Sequence, residues 1–220
     1  MKVLFLGGNL VKTLADWLRE KEEVVYTEDK ITIDFVKQVN PEFIVSYNYK
    51  YLISEKVISF VDGKAVNLHI SYLPWNRGAH PNVWSFLEDS PKGVSIHHID
   101  EGVDTGDIIV QKKVYIDEDK ETLKSSYEKL HRELQNLFKE NWEKIKRGKI
   151  KPKKQIGGGG IHYKRDYKLF EPLIREKRWD IQIRELKEKF RAWRCGLGKL
   201  CKLDRRGEKA NFKMAQRSIS

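Results

Sequence analysis

Two polar side chains with complementary chemistry, Asn67 and His69, stand at the end of the short apolar run of residues 65–68. If that run is a β-strand, both side chains point to the same face of it, because side chains alternate along a strand. An amide donor beside an imidazole can stabilise a developing oxyanion and move a proton. Asp104, in the turn of residues 103–106, adds a carboxylate that can orient the imidazole or a water. The three groups together suit acyl transfer to an amine without a protein nucleophile.

A structural role for these residues stays open at this point. An Asn-x-His pair at a strand end is more often structural than catalytic, and Asp-Thr-Gly is a common turn. An aspartic protease is excluded, because the chain has one Asp-Thr-Gly turn and its alternating pattern is not that of an all-β protein. The residue types alone therefore do not decide whether the set is catalytic.

The first half of the chain alternates apolar runs with amphipathic stretches. Buried strands are predicted at residues 3–6, 24–26, 43–45 and 65–68. Helical spacing of apolar residues predicts helices within residues 10–18 and 31–39, the second ending before Pro41. This alternation predicts an α/β fold with a parallel sheet and helices on both faces. Ligands of such sheets bind beyond the carboxyl ends of the strands, where Asn67 and His69 fall.

The second half predicts two further strands and two helices. The strands are expected at residues 93–98 and 108–116, and a long helix is expected between a Thr122 cap and Gly148. Pro152 and the glycines at 157–160 predict a linker or a wide loop, and residues 181–193 an amphipathic helix. We therefore expect three parts. They are a catalytic core of residues 1–150, an extension of residues 151–193 that packs on the core or on a partner subunit, and a flexible basic tail of residues 194–220.

The net charge of +11 is unevenly placed. Residues 1–150 carry 22 Lys and Arg against 24 Asp and Glu, a balance of −2, whereas residues 151–220 carry 21 against 8, a balance of +13. Such a tail can bind phosphate-bearing partners by releasing counterions, or it can act as a solvated extension that keeps the protein soluble. The second interpretation is favoured for residues 194–220, where aromatic residues are nearly absent.

Neither a membrane span nor a disulfide framework nor a metal site is expected. No apolar run approaches the length that crosses a bilayer. The two cysteines, Cys195 and Cys201, lie in the basic tail at a spacing that does not suit zinc, and two reduced thiols are the simpler interpretation. We expect a soluble cytoplasmic protein.

Four motifs in order define a resemblance to a known family. They are Asn-x-His-x-Ser-x-Leu-Pro from Asn67, Arg77-Gly78, Gly-Val-Ser-Ile-His ending at His97, and Val-Asp-Thr-Gly-Asp-Ile-Ile around Asp104. Together they resemble the 10-formyltetrahydrofolate-dependent formyltransferases over roughly residues 1–150. The resemblance implies a Rossmann-like core with a mostly parallel sheet, N10-formyltetrahydrofolate as co-substrate, and no metal. It also implies that Asn67, His69 and Asp104 are the catalytic residues.

The resemblance also implies a folate pocket between residues 49–54 and 99–104. The residues expected to form it are Tyr51, Leu52, Ile53, Ile99, Glu101 and Gly102. For any one of those at 51–53 the alternative is an ordinary loop that enters a helix from Ser54. His97 matches a family histidine near the site, whereas His98 should point to the other face of its strand.

Three acceptor amines compete, namely a nucleotide-linked amino sugar, glycinamide ribonucleotide and methionyl-tRNA. Residues 71–82 and 160–166 resemble the sugar N-formyltransferases, whose acceptor is commonly a dTDP-4-amino-4,6-dideoxyhexose, here dTDP-4-amino-4,6-dideoxyglucose for example. Residues 151–220 are too few for the barrel domain of a methionyl-tRNA formyltransferase. Acceptor contacts are expected from Asn9, Trp75, Arg77 and Tyr163. The alternatives are that the two aromatic residues only pack, and that Arg77 pairs with a local carboxylate.

Further partners follow from the same resemblance. It implies a homodimer and a place in O-antigen biosynthesis, with no membrane partner. A rival from another class is a formyltransferase-like core that has become a nucleic-acid-binding module. The charge of the tail favours that rival, whereas the intact set of Asn67, His69 and Asp104 makes a nucleic-acid partner unexpected.

Overall fold

A computed structural model describes residues 1–8 and 11–198. Its strands are β1 Lys2–Gly7, β2 Glu23–Thr27, β3 Phe43–Tyr47, β4 Ala65–His69, β5 Arg77–Gly78, β6 Gly93–His98, β7 Ile108–Lys113 and β8 Ile161–His162. Its helices are α1 Lys12–Arg19, α2 Ile33–Val39, α3 Glu55–Phe60, α4 Pro81–Leu87, α5 Leu123–Lys146, α6 Tyr167–Ile174 and α7 Ile183–Gly198. Two short 3-10 turns, Lys164–Asp166 and Arg178–Asp180, flank α6.

The main sheet is mostly parallel. Its strand order is β2-β1-β3-β4-β6-β7, and β2, β1, β3 and β4 run parallel. β6 is antiparallel to β4, and β7 is antiparallel to β6. The predicted Rossmann-like α/β fold is confirmed. The strand expected to reach residue 116 ends at Lys113, although Val114 and Ile116 remain buried.

Helices cover both faces of this sheet because the central strands are apolar on both sides. In β1, Val3 and Phe5 face one core cluster, whereas Leu4 and Leu6 face the other. The first cluster includes apolar side chains of α1, α4, α5, α6 and α7, and the second includes those of α2 and α3. A strand with both faces buried reads as a continuous apolar run, which is why β1 could be predicted from sequence.

The long helix α5 begins at a capping box. Thr122 Oγ1 accepts a hydrogen bond from the Ser125 backbone N–H at 3.1 Å, and Ser125 Oγ accepts one from the Thr122 N–H at 2.9 Å. These bonds satisfy two backbone donors that the helix itself leaves unpaired. The predicted Thr122 cap is confirmed.

Thr122→Ala should therefore lower the free energy of unfolding by about 1 kcal/mol. Thr122→Ser keeps the capping hydroxyl and should retain most of that stability. Urea denaturation of the three proteins measures the difference. An alanine variant as stable as the wild type would contradict the role of the cap.

The residues after the core pack on it. Phe170, Ile174, Ile181 and Leu186 are fully or almost fully buried and belong to the same core cluster as the apolar side of α5. α7 continues to Gly198, beyond the point at Arg194 where we expected order to end. Its apolar side chains recur at helical spacing as far as Trp193, which packs against the core, and the helix extends about one turn further. Residues 199–220, the rest of the expected tail, lie outside the described residues.

None of the helices in the described ranges combines the length and the apolar character that a membrane crossing requires.

Candidate active site

Asn67 and His69 occupy the carboxyl end of β4, at the point where the parallel part of the sheet meets the antiparallel part. Asn67 lies directly opposite His97 of β6 in the antiparallel register. Opposed residues of such a pair project from the same face of the sheet. The two strands therefore bring an amide and two imidazoles together.

The turn that carries Asp104 folds back over the end of β6. Asp104 has a left-handed backbone conformation, with φ of 53°, which Asp tolerates better than most residues. Gly106 approaches the His98 carbonyl so closely that a Cβ would lie 1.9 Å from its oxygen, so a side chain cannot be placed there. The Asp-Thr-Gly motif thus serves this close approach, and it directs the carboxylate toward β4.

The Asp104 carboxylate is surrounded by donors. Oδ1 accepts from Asn67 Nδ2 at 3.0 Å and Oδ2 accepts from the Gly78 N–H at 2.8 Å. His97 Nε2 lies 3.3 Å from Oδ1, and His69 Nδ1 lies 3.6 Å from Oδ2. Burial alone would raise the pKa of Asp104, but the charge interaction with His69, the His97 contacts and the Gly78 N–H together hold that pKa well below its usual range. The group is therefore an ionised carboxylate.

His69 is held by one ring nitrogen and presents the other to the site. Its Nε2 lies 3.1 Å from the Asn76 carbonyl oxygen, which can only accept, so Nε2 carries a proton. Asn76 is fully buried, and its side chain bonds to Ser90 Oγ at 2.6 Å and to Glu88 Oε2 at 3.3 Å. The remaining nitrogen, Nδ1, is too far from Asp104 for a direct hydrogen bond. The Nδ1 edge is thus available to a substrate atom beside a fixed negative charge.

His97 completes the cluster from β6. Its Nδ1 donates to the His98 carbonyl oxygen at 2.7 Å, and its Nε2 faces Asp104 Oδ1. Asn67 Nδ2 lies 3.2 Å from that nitrogen. The position of His97 agrees with the resemblance. His98 is half-buried rather than openly exposed, and burial lowers its pKa.

A cavity of about 1170 Å³ opens around these residues. We call its first part the loop lobe, which residues 49–53 and 99–103 line. All six residues expected in a folate pocket line this lobe, namely Tyr51, Leu52, Ile53, Ile99, Glu101 and Gly102. Their role in binding stays a prediction.

We call the second part the helix lobe, which is lined by Lys124, Tyr127, His131, Tyr167 and Trp179. It lies on the opposite face of the sheet, because Tyr167 and Trp179 pack against the first core cluster, whereas Ile53 and Ile99 of the loop lobe pack on the second. Asn67, His69 and Asp104 line the cavity as well. The cavity can therefore bring two substrates to one set of polar groups from opposite faces.

Aromatic rings form one wall of the helix lobe. The Tyr127 ring lies 5.3 Å from that of Trp179 and 4.2 Å from that of His131, between centroids. Tyr47 Oη lies 2.5 Å from His131 Nδ1, while His131 Nε2 is buried and makes no hydrogen bond within the described part of the chain. Burial lowers the pKa of His131 to about 4. His131 is thus neutral at pH 7.

The buried neutral His131 predicts a stability that falls in weak acid. Because the folded pKa of about 4 lies below the ordinary value of 6.5, the unfolded chain binds the extra proton between those values. The free energy of unfolding should therefore decline by up to about 3 kcal/mol as the pH falls through this window. His131→Gln should remove this part of the decline. Urea unfolding from pH 8 to pH 4 measures it, and parallel profiles of the two proteins would contradict it.

The four expected acceptor residues lie in different surroundings. Asn9 lies outside the described residues, directly after Gly7 and Gly8. Tyr163 lines the cavity and is 45% exposed. Trp75 and Arg77 are not among the residues that line it. For all four residues, a role in acceptor binding stays a prediction.

Several residues of the site were missed by reasoning from the sequence. Lys124, Tyr127, His131 and Trp179 line the cavity, yet their sequence positions single out none of them. Gln155 was also missed, although its side chain contacts the Asp104 turn. No local motif marks any of them, because their partners are distant in the sequence. Residues 1–8 and 11–198 contain no group of three or more His, Cys, Asp or Glu placed to hold a metal ion.

The fold and the polar cluster together define an α/β protein of the formyl transferase type. The family model for formyl transferases matches residues 18–141, more than half of the chain, and the chain belongs to that family. The methionyl-tRNA formyltransferase of Caldanaerobacter subterraneus subsp. tengcongensis is 33% identical over 125 residues, which are 54% of this chain and 39% of that protein. The chain thus spans about two fifths of the length of the curated relatives it matches.

Solved structures extend the similarity beyond the core. The formyltransferase PseJ from Anoxybacillus kamchatkensis, in complex with UDP-4,6-dideoxy-4-formamido-L-AltNAc and tetrahydrofolate, is 43% identical with a TM-score of 0.80. That match covers 86% of this chain and 100% of PseJ. A sugar N-formyltransferase from a Shewanella species shares the fold, with 21% identity and a TM-score of 0.69 over 86% of this chain and 87% of that one.

Proposed function

We propose that this protein transfers a formyl group from N10-formyltetrahydrofolate to the amine of a nucleotide-linked 4-amino-4,6-dideoxy sugar. The observation that carries the proposal is the match to PseJ. The match covers all of PseJ and 86% of this chain, so it extends beyond residues 1–150 into the segment that follows them. Because PseJ binds tetrahydrofolate and a UDP-linked formamido sugar, a UDP-linked amino sugar is the first acceptor to test. A dTDP-linked one, the acceptor expected from the sequence, is the second.

The loop lobe suits the flat pterin of a folate. Ile53 and Ile99 offer apolar surface, and Leu52 is 73% exposed. The backbone groups of residues 51–53 make no hydrogen bond to other described residues, so they remain free to pair with the edge of a pterin. A cavity with apolar walls and a few free polar groups is typical of small-molecule sites.

The helix lobe suits a nucleotide. The Tyr127 and Trp179 rings present aromatic surface on which a base can stack. Lys124 and Lys164 also line the cavity and are exposed, so each can bring a positive charge to a diphosphate. Such a placement would leave the sugar amine between the lobes, beside His69 and Asp104.

The residues present support direct transfer. The neutral amine attacks the formyl carbon, a new C–N bond forms, and the bond from that carbon to N10 of the folate breaks as N10 takes up a proton. The Nδ1 edge of a protonated His69 and the amide of Asn67 would stabilise the tetrahedral oxyanion. To do so, Asn67 Nδ2 would give up its contact with His97 Nε2 and donate to the substrate oxygen instead. The ionised Asp104 faces the imidazole and passes the amine proton on through a water.

Acceptor choice is tested by a panel at fixed N10-formyltetrahydrofolate. It contains UDP-4-amino-4,6-dideoxy-L-AltNAc, dTDP-4-amino-4,6-dideoxyglucose, glycinamide ribonucleotide and methionyl-tRNA. We expect kcat/KM for one of the sugar nucleotides to exceed that for the other two classes by on the order of 100-fold or more. A higher kcat/KM for methionyl-tRNA or glycinamide ribonucleotide would overturn the proposed acceptor.

Methionyl-tRNA is in the panel because the curated relatives are methionyl-tRNA formyltransferases. The extension argues against it, since residues 151–198 hold the two-residue strand β8 and the helices α6 and α7 rather than strands for a barrel.

The homodimer expected from the resemblance stays a prediction, and size-exclusion chromatography with light scattering would test it.

A further inference from the structure

The side chain of Gln155 uses both ends of its amide in the site. Its Oε1 accepts from Arg77 Nε at 2.9 Å and from Arg77 Nη2 at 2.7 Å. Its Nε2 donates to the backbone oxygens of Asp104 at 2.9 Å and of Gly106 at 2.8 Å. One side chain therefore joins β5 to the turn that carries Asp104.

The backbone around Gln155 fixes that position. Lys153 and Ile108 exchange backbone hydrogen bonds of 2.8 Å in both directions, which anchors the segment to the start of β7. Further on, the Gly160 carbonyl accepts from the Arg77 N–H at 3.1 Å. Gly159 passes so close to Pro74 that a Cβ would lie 1.5 Å from its carbonyl oxygen. Residues 153–160 thus run closely along the two segments that Gln155 joins.

Gln155 connects the two sides of the bond that orients the carboxylate. That bond runs from the Gly78 N–H to Asp104 Oδ2 at 2.8 Å. Gln155 holds Arg77, the residue before the donor, and the backbone oxygen of Asp104 itself. Displacement of either segment would lengthen the Gly78 bond and change the 3.6 Å separation between Asp104 and His69.

We propose that Gln155 is a positioning residue that clamps Asp104 against Gly78 and so sets the placement of the carboxylate relative to His69. Its effect on turnover rests on the proposed function, whereas its effect on the turn does not. Gln155 lies beyond residues 18–141, the part of the chain that the family model matches. The segment after the core thereby becomes part of the active site.

The chemistry of the position calls for an amide, because it must accept from a guanidinium and donate to two carbonyls at once. Gln155→Met keeps the approximate shape and removes all four bonds. Gln155→Glu keeps an acceptor for Arg77 but turns a carboxylate oxygen toward the carbonyls of Asp104 and Gly106. The glutamate variant therefore loses the bonds to the Asp104 turn while it keeps the bonds to Arg77.

The clamp is measured by hydrogen exchange of the Gly78 amide, followed by NMR. In both Gln155 variants we expect this amide to exchange about tenfold faster or more, which corresponds to the net loss of roughly one hydrogen bond. Gln111→Met is the matched control, since Gln111 Nε2 donates to the Leu73 carbonyl at 3.0 Å and not to the turn. Unchanged Gly78 exchange in the Gln155 variants, or equal acceleration in the control, would overturn the proposal.

Turnover provides the second readout, with whichever acceptor the panel identifies. Gln155→Glu should lower kcat about tenfold while the KM for the folate changes less than about twofold. In an Asp104→Asn background the same substitution should cost nothing further, because Gln155 acts only through that carboxylate. If the double variant loses kcat by the product of the two single losses, the proposal is overturned. If the wild type formylates none of the acceptors, the proposed function fails, and the exchange of the Gly78 amide still decides whether the clamp exists.

Discussion

His69→Asn should lower kcat for formyl transfer by on the order of 100-fold or more while the protein stays folded. The imidazole is anchored at Nε2 by the Asn76 carbonyl and presents Nδ1 beside the ionised Asp104. An asparagine side chain has no group that gains or loses a proton near pH 7, so it can neither act as an acid or base nor hold a positive charge. Single-turnover kinetics with saturating folate and acceptor measures the chemical step directly.

His98→Asn is the matched control for this variant. His98 follows His97 in β6 and is not among the residues that line the cavity. We expect its kcat to stay within about threefold of the wild type, since the His98 side chain lies outside the cavity. A His69→Asn enzyme as active as the His98→Asn enzyme would remove the imidazole from the mechanism.

Asp104→Asn should cost on the order of 100-fold to 10,000-fold in kcat. The substitution removes the negative charge beside His69, and an amide in place of the carboxylate turns a donor toward Asn67 Nδ2 or toward the Gly78 N–H, both of which donate. Asp107→Asn is the matched control in the same loop, because Asp107 does not line the cavity. Equal activity of the two variants would exclude the proposed role of the carboxylate.

Asp104→Asn should also change how the free energy of unfolding depends on pH. The pKa of Asp104 is held below its usual range, so its contribution to folding is present above the unfolded pKa of about 4 and is lost as the pH falls further. The wild type should therefore be more stable than Asp104→Asn at pH 7, and the gap should narrow below about pH 4. A gap that widens in acid would contradict the assignment of the charge.

The sheet and the polar triple could be predicted because their signals are local. An apolar run such as residues 3–6 marks a buried strand wherever it occurs, and two polar residues two apart at a strand end share a face. Asp104 lies 35 residues further along the chain than His69; its residue type made it a candidate, and the resemblance implied its catalytic role. The structure places Asn67 and His69 around the Asp104 carboxylate.

The contacts made by the extension could not be predicted in this way. Gln155 reaches Asp104 across 51 residues and Arg77 across 78, and nothing in its own segment indicates either partner. The sequence predicts that Arg77 contacts the acceptor or, in the alternative, a local carboxylate, yet its side-chain hydrogen bonds go to the amide of Gln155. Pairing of this kind depends on how the chain returns to the core, and local patterns carry no record of it.

The helix lobe was missed for a related reason. Tyr127 and His131 are one turn apart on α5, and Trp179 meets them only because the chain after α6 returns to that helix. A tyrosine at helical spacing is more often part of a core than of a binding site, so its sequence position favoured the structural interpretation. These residues form one wall of a cavity only in the folded structure.

The most direct test of the central claim is mass spectrometry of the product formed from N10-formyltetrahydrofolate and UDP-4-amino-4,6-dideoxy-L-AltNAc, with dTDP-4-amino-4,6-dideoxyglucose run in parallel. We expect the wild type to add one formyl group to the amine of one of these sugar nucleotides, and His69→Asn to add almost none in the same time. Absence of a formylated product from both nucleotides with the wild type, under conditions in which a folate analogue still raises its melting temperature, would contradict the proposed acceptor class.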